Sequence, residues 1–301
     1  MPEITVVIPA YNAAKTLRET LDSVLAQTFG DFEVIVVDDG SNDGTASVAT
    51  TTGDPRVRVI SIPNGGVSRA RNLGIAEGRG GLIAFLDADD LWQPAKLERQ
   101  VALLNARPEV GICVTGAEKI DPSSRPIAPM PMFERSDDYT RDLLLHSNIA
   151  GCTCSGVVRG EVLDAIGGFE PELQYCEDWN LWLRLSLRTS FGVLPESLVR
   201  VRVHEGNTSG NPYLLERDTF RVLDSFFSMP ASAAYSPMRS RVYGTHWMVC
   251  AGSYLHKGRL IPSVRCVWRG VATYPASVSR PLGLPLRQLA RAFRRLRGAR
   301  S

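Results

Sequence analysis

The run Glu33-Val34-Ile35-Val36-Val37-Asp38-Asp39-Gly40-Ser41 is β-branched and apolar until it stops on two carboxylates, a glycine and a serine. A second run, Leu82-Ile83-Ala84-Phe85-Leu86-Asp87-Ala88-Asp89-Asp90, ends the same way. Both are apolar on both faces, the mark of strands buried inside a sheet rather than lying on its surface. With Thr5–Pro9 and Val57–Ile62, the strands expected at Glu33–Asp38 and Leu82–Asp87 alternate with amphipathic stretches at Ala13–Ala26, Ser41–Thr51, Val67–Glu77 and Pro94–Ala106. Leu17, Leu21, Val24 and Leu25 recur at helical intervals in the first of these. Ser41 or Asn42 is a suitable N-cap for the second, and Pro94 opens the last. This alternation predicts an α/β fold: a Rossmann-like, mostly parallel central sheet, joined by right-handed crossovers and flanked by helices.

Composition agrees with a folded chain. In 301 residues, 44% hydrophobic and 22% charged residues are enough to bury a core, which excludes disorder and coiled coil. No apolar run approaches the ~18 residues of a membrane span, and Met1-Pro2-Glu3 lacks the basic start of a secretory signal, so the expected compartment is the cytoplasm. The six cysteines show no CxxC pair and no zinc-type spacing with histidine, and read as reduced and structural. After Val114 the pattern weakens, and the proline-rich segment Asp121–Pro131 reads as a long surface loop. The body resumes at Tyr139–His146, Thr153–Val158, Glu161–Ile166, Trp179–Leu187 and Ser197–Val203. Two domains are expected: residues 1–210, divided near residue 115 into two halves, and a helical region, residues 211–301.

In a parallel sheet, ligands bind where strands end and helices begin. Two acidic clusters on that edge repel each other unless a cation lies between them. Carboxylates at Asp87 and Asp89 suit Mg²⁺ or Mn²⁺, which fill the rest of their shell with water and phosphate oxygens, so a nucleotide ligand is expected. Neither GxxxxGK[ST] nor GxGxxG occurs, which argues against a Walker loop or a dinucleotide site. Asn64-Gly65-Gly66-Val67-Ser68-Arg69-Ala70-Arg71-Asn72 offers a glycine turn followed by two arginines on an opening helix, suited to phosphate or base recognition, with Arg71 the preferred contact.

Six motifs stand in order: Val7-Ile8-Pro9-Ala10-Tyr11-Asn12, Val37-Asp38-Asp39-Gly40-Ser41, Gly66-Val67-Ser68-Arg69-Ala70-Arg71-Asn72, Asp87-Ala88-Asp89-Asp90, Gly167-Gly168-Phe169, and Glu177-Asp178-Trp179 with Leu181-Trp182-Leu183-Arg184. Together they resemble the nucleotide-sugar-dependent, inverting glycosyltransferases of family 2, which have the GT-A fold. The likeness covers about residues 4–207. It implies a nucleotide-sugar half over 1–115 and an acceptor half over 116–210. It also implies that Pro9 and Tyr11 line the nucleobase pocket, that Asp39 accepts from a base N–H, and that Arg71 steadies base or phosphate. Asp87 would bind the ribose or a water beside the metal, and Asp89 would hold the ion that bridges the diphosphate. His204 resembles a position that completes the metal or diphosphate site; its imidazole suits Mn²⁺ better than Mg²⁺. Asp178 matches the general base, with Glu177 beside it as the other candidate. A carboxylate facing an imide N–H favours a UDP-sugar donor, with dTDP and GDP sugars still open. The acceptor would be a hydroxyl of a glycan or of a lipid-linked glycan in cell-surface polysaccharide synthesis.

Trp179 and Trp182 fall on one helical face and read as packing residues, and Gly167-Gly168 can simply end a helix. Charge is strongly divided: residues 225–301 hold 13 Lys and Arg and no Asp or Glu, whereas residues 1–224 hold 21 basic and 32 acidic groups. Leu282, Leu286, Leu289, Phe293 and Leu296 make one stripe among arginines, as in an amphipathic helix lying on an anionic bilayer at the inner face of the cytoplasmic membrane. The other reading of this tail is a helix packed on protein. No nucleic-acid partner is expected. Two other functions fit the same sheet, a catalytically silent nucleotide-sugar-binding scaffold and a sugar nucleotidyltransferase. The first would lack the base or the metal acid; the second would carry a glycine-rich basic loop after the first strand, where Ala10-Tyr11-Asn12-Ala13-Ala14-Lys15 supplies none.

Overall fold

A computed structural model describes residues 1–130, 136–146, 152–204 and 211–279. The chain divides into two compact units, Met1–Asn207 and Thr208–Ser301. The boundary expected near residue 210 and the tail stripe Leu282–Leu296 both fall outside the described residues.

In the first unit, β1 (Ile4–Ala10), β2 (Phe32–Asp38), β3 (Val57–Ser61) and β4 (Leu82–Phe85) alternate with α1 (Leu17–Leu25), α2 (Thr45–Thr50) and α3 (Val67–Glu77). These four strands pair in parallel in the spatial order 3-2-1-4. Their side chains alternate between two covered faces. Ile4, Val6, Ile8, Val34 and Val36 share a core with Leu17 and Leu21 of α1 and with Leu97 and Val101 of α4 (Lys96–Ala106). Ile35 and Val37 pack instead against Ala70 and Leu73 of α3. This two-sided burial is why the strands read as unbroken apolar runs.

Beyond β4 the sheet becomes mixed. It continues through β8 (Gly156–Arg159), β6 (Val110–Ile120), β9 (Ser190–Arg202) and the short β5 (Leu91–Trp92), with β7 (Pro126–Pro129) paired to β6. β8 runs antiparallel to both β4 and β6, while β9 is parallel to β6. The mostly parallel sheet expected from the sequence is therefore parallel throughout its N-terminal part and reversed at β5, β7 and β8. Three helices, α5 (Tyr139–Leu145), α6 (Gly160–Ile166) and α7 (Glu177–Ser186), complete the unit.

Three local expectations need correction. The described part of the expected loop Asp121–Pro131, residues 121–130, is largely a hairpin, because β7 lies at an edge where its prolines owe the ladder few donors. Neither Ser41 nor Asn42 caps α2, which starts at Thr45 after Gly44. The Ser41 hydroxyl accepts from the Asn12 amide (2.9 Å), and the Asn42 amide donates to the Asn12 side chain (3.0 Å), so this segment ties the end of β1 to the end of β2. Finally, α4 begins at Lys96, two residues after Pro94.

The second unit contains α8 (Pro212–Ser228), α9 (Arg239–His256) and α10 (Leu260–Thr273), with 3₁₀ turns at Pro230–Met238 and Pro275–Ser279. Asn211 caps α8 by accepting from the amides of Tyr213 and Leu214. Cys250, Ala251 and Tyr254 of α9 and Cys266 of α10 form one cluster of its core. A β-carbon on Gly270 would lie 2.8 Å from the Met248 sulfur and 3.2 Å from the Gly244 carbonyl, so the glycine allows the two helices to approach closely. All six cysteines are free. Among the described residues, no helix is long and apolar enough to cross a membrane.

Candidate active site

The strand order 3-2-1-4 sets the residues that follow each strand along one edge: the glycine turn after β3, Asp39 after β2, Tyr11 after β1 and Asp87 after β4. Neighbouring strands are about 4.8 Å apart, so the edge from β2 to β4 spans roughly 10 Å. Pro9 is buried in β1, opposite Val37. Tyr11, the next residue but one, is 56% exposed.

Asp39 is 4% exposed, and its two oxygens accept from the amides of Gly65 (2.8 Å) and Gly66 (2.9 Å). A carboxylate accepting two backbone N–H groups anchors the turn that opens α3. Each oxygen keeps a second lone pair, so the anchor leaves acceptor capacity.

Arg71 is paired within the protein. The residue is 2% exposed, and its guanidinium donates from Nη2 to Asp87 (2.7 Å) and from Nη1 to Glu177 (3.1 Å). It also lies 5.1 Å over the Phe169 ring, which packs edge-on against Phe85. Burial works against the charge, but Asp87 and Glu177 outweigh it and hold the group protonated, above its ordinary range. The guanidinium thus bridges two acids, as a desolvated cation must be paired where it sits.

The bridge reaches α7. Glu177 and Asp178 are its first two residues, where carboxylates are favoured by the helix dipole, and Cys176 just before them has φ +65°. Burial, and then repulsion from Glu177, pushes the Asp178 carboxyl up to about 7, although its Oδ1 accepts from the Trp179 amide (2.6 Å). Of the two candidate bases, Glu177 is engaged by Arg71, whereas the Asp178 carboxyl is the one raised by burial.

At the other side of the β4 edge, Asp89 Oδ2 and His204 Nε2 lie 2.8 Å apart. Burial first, and the charge of Asp87 second, raise the Asp89 carboxyl above its usual range. A carboxylate oxygen beside an imidazole nitrogen is a donor pair that fits Mn²⁺ and tolerates Mg²⁺, with the remaining positions left for water and phosphate oxygens. Asp90 points inward: it accepts from Cys154 Sγ (3.2 Å) and from the Arg202 amide (2.9 Å). Asp90, Cys152 and Cys154 have potential ligand atoms within 4.8 Å of one another. Burial keeps the Cys154 thiol protonated far above its usual range, so it acts here as a hydrogen-bond donor.

Several residues outside the expected set build this site. Asn72 grips the backbone of Phe169 in both directions, donating to its carbonyl and accepting from its amide, each at 2.8 Å. Gly168 (φ +70°) precedes it, and a β-carbon there would meet the Asn72 oxygen at 2.6 Å. Arg184 donates to the carbonyls of Ile166 and Gly168, so the sixth motif secures the fifth. Buried Arg202 donates to the Asp89 carbonyl (2.8 Å), the Pro122 carbonyl (3.0 Å) and Glu19 (2.7 Å). A lone arginine near a strand end carries no local signal; only its partners, up to 183 positions away, reveal its work. Trp179 and Trp182 are buried packing residues.

The model of the family described as "Glycosyl transferase family 2" matches residues 5–167. An uncharacterized glycosyltransferase of Rickettsia typhi is 35% identical over 231 residues, which is 75% of this chain and 71% of its own length. A putative teichuronic acid biosynthesis glycosyltransferase, TuaG of Bacillus subtilis, is 29% identical over 73% of this chain and 87% of its own. Chondroitin synthase of Pasteurella multocida is 29% identical over 69% of this chain but 21% of its own. Among solved structures, S. aureus TarS 1-349 in complex with UDP-GlcNAc superposes with a TM-score of 0.62 at 20% identity, covering 92% of this chain and 90% of that one. The mannosyltransferase of Pyrobaculum calidifontis in complex with GDP-Man and Mn²⁺ gives 0.60 at 20%, covering 98% and 80%. At this identity the structures speak to the fold, which they share with the mixed sheet and its flanking helices described above. The ordered motifs, the family match over more than half the chain and the curated relatives agree: this chain belongs to glycosyltransferase family 2, and it is a glycosyltransferase enzyme.

Proposed function

We propose that this enzyme moves a sugar, with inversion, from a UDP-sugar to a hydroxyl of a glycan or lipid-linked glycan acceptor, in a divalent-metal-dependent reaction. One observation carries the reading: the Asp87–Arg71–Glu177 ion-pair chain couples the end of β4 to the first turn of α7, where Asp178 stands. Pro9 and Tyr11 flank the nucleobase, and Asp39 offers it the remaining lone pairs of its carboxylate. Asp89 and His204 would hold Mg²⁺ or Mn²⁺. The ion, when bound, supplies Lewis-acid neutralisation of the charge gathering on the departing diphosphate.

Asp178 takes the proton of the acceptor hydroxyl as that oxygen bonds to the anomeric carbon. The bond from that carbon to the diphosphate breaks on the opposite face, and UDP leaves with the electron pair. Asp87, held by Arg71, faces the ribose. Arg71 and Glu177 act through Asp87 and Asp178 as positioning residues. The basic segment Leu282–Arg300 is assigned to an anionic membrane surface, which would bring the enzyme to a lipid-linked acceptor at the inner face of the membrane.

The test is release of free UDP on adding acceptor, with thermal shift across a panel of nucleotide sugars, with and without Mn²⁺, to find the donor. Asp178→Asn and Asp89→Ala should each lower UDP release at least about a hundredfold while the melting transition persists. Unchanged turnover in both variants, or pyrophosphate release from a nucleoside triphosphate, would refute the reading.

A further inference from the structure

α10 turns Ser263, Cys266 and Gly270 toward α9 and presents a second apolar face that no other described residue covers. On that face Ile261 is 86%, Val264 67% and Trp268 71% exposed, with Leu260 beside them. The spacing i, i+3, i+7 makes them one stripe along the helix, which is about 21 Å long at 1.5 Å per residue. Isolated exposed apolar residues are ordinary, but an aligned Ile, Val and Trp on a single helix mark an interaction surface.

The charges around the stripe select its occupant. Lys257 and Arg259 stand exposed at the head of α10, and Arg265 and Arg269 border the stripe, leaning on Glu216 of α8 with about half of each side chain still exposed. α9 and α10 contain no carboxylate at all. By sequence, Leu282–Arg300 carries the same sign of charge, as does a second copy of α10, so like-charge repulsion disfavours both as occupants. An anionic lipid surface satisfies both halves of the pattern: its headgroup phosphates meet the cations, and its interfacial layer takes an aliphatic side chain and an indole ring.

We propose that the Ile261–Val264–Trp268 face of α10, with Lys257 and Arg259, is a membrane-docking surface for anionic bilayers, separate from the Leu282–Arg300 tail. This extends the membrane assignment to a second element and does not depend on the donor or the catalytic roles.

The experiment uses the full chain with vesicles of phosphatidylcholine, alone or mixed with phosphatidylglycerol. The wild type should partition onto the anionic vesicles and come off at high salt. Ile261→Glu/Val264→Glu/Trp268→Glu, whose positions are exposed and whose fold is checked by its melting transition, should bind at least about tenfold more weakly, because each large apolar side chain kept out of the bilayer costs on that order. Quenching of tryptophan fluorescence by brominated lipid should be lost in Trp268→Phe. Leu289→Glu/Phe293→Glu, in the tail, should retain that quenching. Equal partitioning of wild type and the α10 variant, quenching unchanged in Trp268→Phe, or equal binding to neutral vesicles would each overturn the proposal. An acidic protein partner would show itself as failure of the wild type to bind either vesicle.

Discussion

The two halves of the catalytic unit are built by different kinds of information. From β1 to β3, each strand hands over to the next helix after a short turn, β4 follows α3, and Tyr11, Asp39 and Asp87 follow from where the strands stop. From β6 to β9, the partners are distant: β8 lies between β4 and β6, and Arg202 and His204 reach back to Asp90 and Asp89 across 112 and 115 positions. The first half is a local pattern repeated, whereas the second is an assembly that completes a site begun elsewhere. Arg71 joins them, with one hand on each.

The strongest test of that partition removes the acid that only the second half supplies. Asp178→Asn should lower turnover on the order of 10²–10⁴-fold. Stability should move the other way. A carboxyl whose folded value is raised to about 7 favours the protonated fold, so its ionised form costs stability above its ordinary value near 4, and increasingly up to about pH 7. The Asn variant should therefore melt higher than wild type at pH 8, and the difference should vanish below about pH 4. A lower melting temperature at pH 8 would mean that Asp178 holds the structure together.

Next in size, Asp89→Ala should lose at least about a hundredfold in activity, whereas His204→Ala should lose less and shift its preference from Mn²⁺ toward Mg²⁺. Titrating both variants with each metal, reading UDP release, decides this; equal losses with no change in preference would separate His204 from the ion. The pH profile is a subtler probe. With Asp178 as base, kcat/KM should fall about tenfold per pH unit below about 7, where protonation removes the acceptor of the proton. A profile flat to pH 5 would point to another base.

The smallest effects test the seam. Asn72→Ala leaves the Phe169 amide and carbonyl without their partner and should cost roughly 1–3 kcal/mol of stability, measured by denaturant unfolding. Its activity should drop with it, because the Phe169 ring supports Arg71. Loss of stability with full activity would show that the clamp serves only the fold.

Legibility followed the same division. The parallel strands and the helices between them were readable because two-sided burial leaves continuous apolar runs. β5 was not, since Leu91–Trp92 is too short for any period to show. β7 hid behind Pro126 and Pro129, residues that local reading takes for a loop and that an edge position tolerates. Arg71 was recognisable as a functional position, but not its use: a guanidinium can meet a phosphate or a carboxylate, and only the arrival of Glu177 from 106 positions away made it a bridge.

The amino-acid sequence by itself determined which strand ends carry acids, where the glycine turn opens a helix, and that the last 77 residues hold no carboxylate, because periodicity, turn chemistry and charge are properties of neighbouring residues. Only the tertiary structure decided that Asp39 holds a turn, that Arg71 is sealed between two acids, that Asp89 meets His204, and that one apolar face of α10 is exposed among the described residues. Those outcomes depend on burial and on partners far along the chain, and neither exists until the sheet has brought its distant segments together.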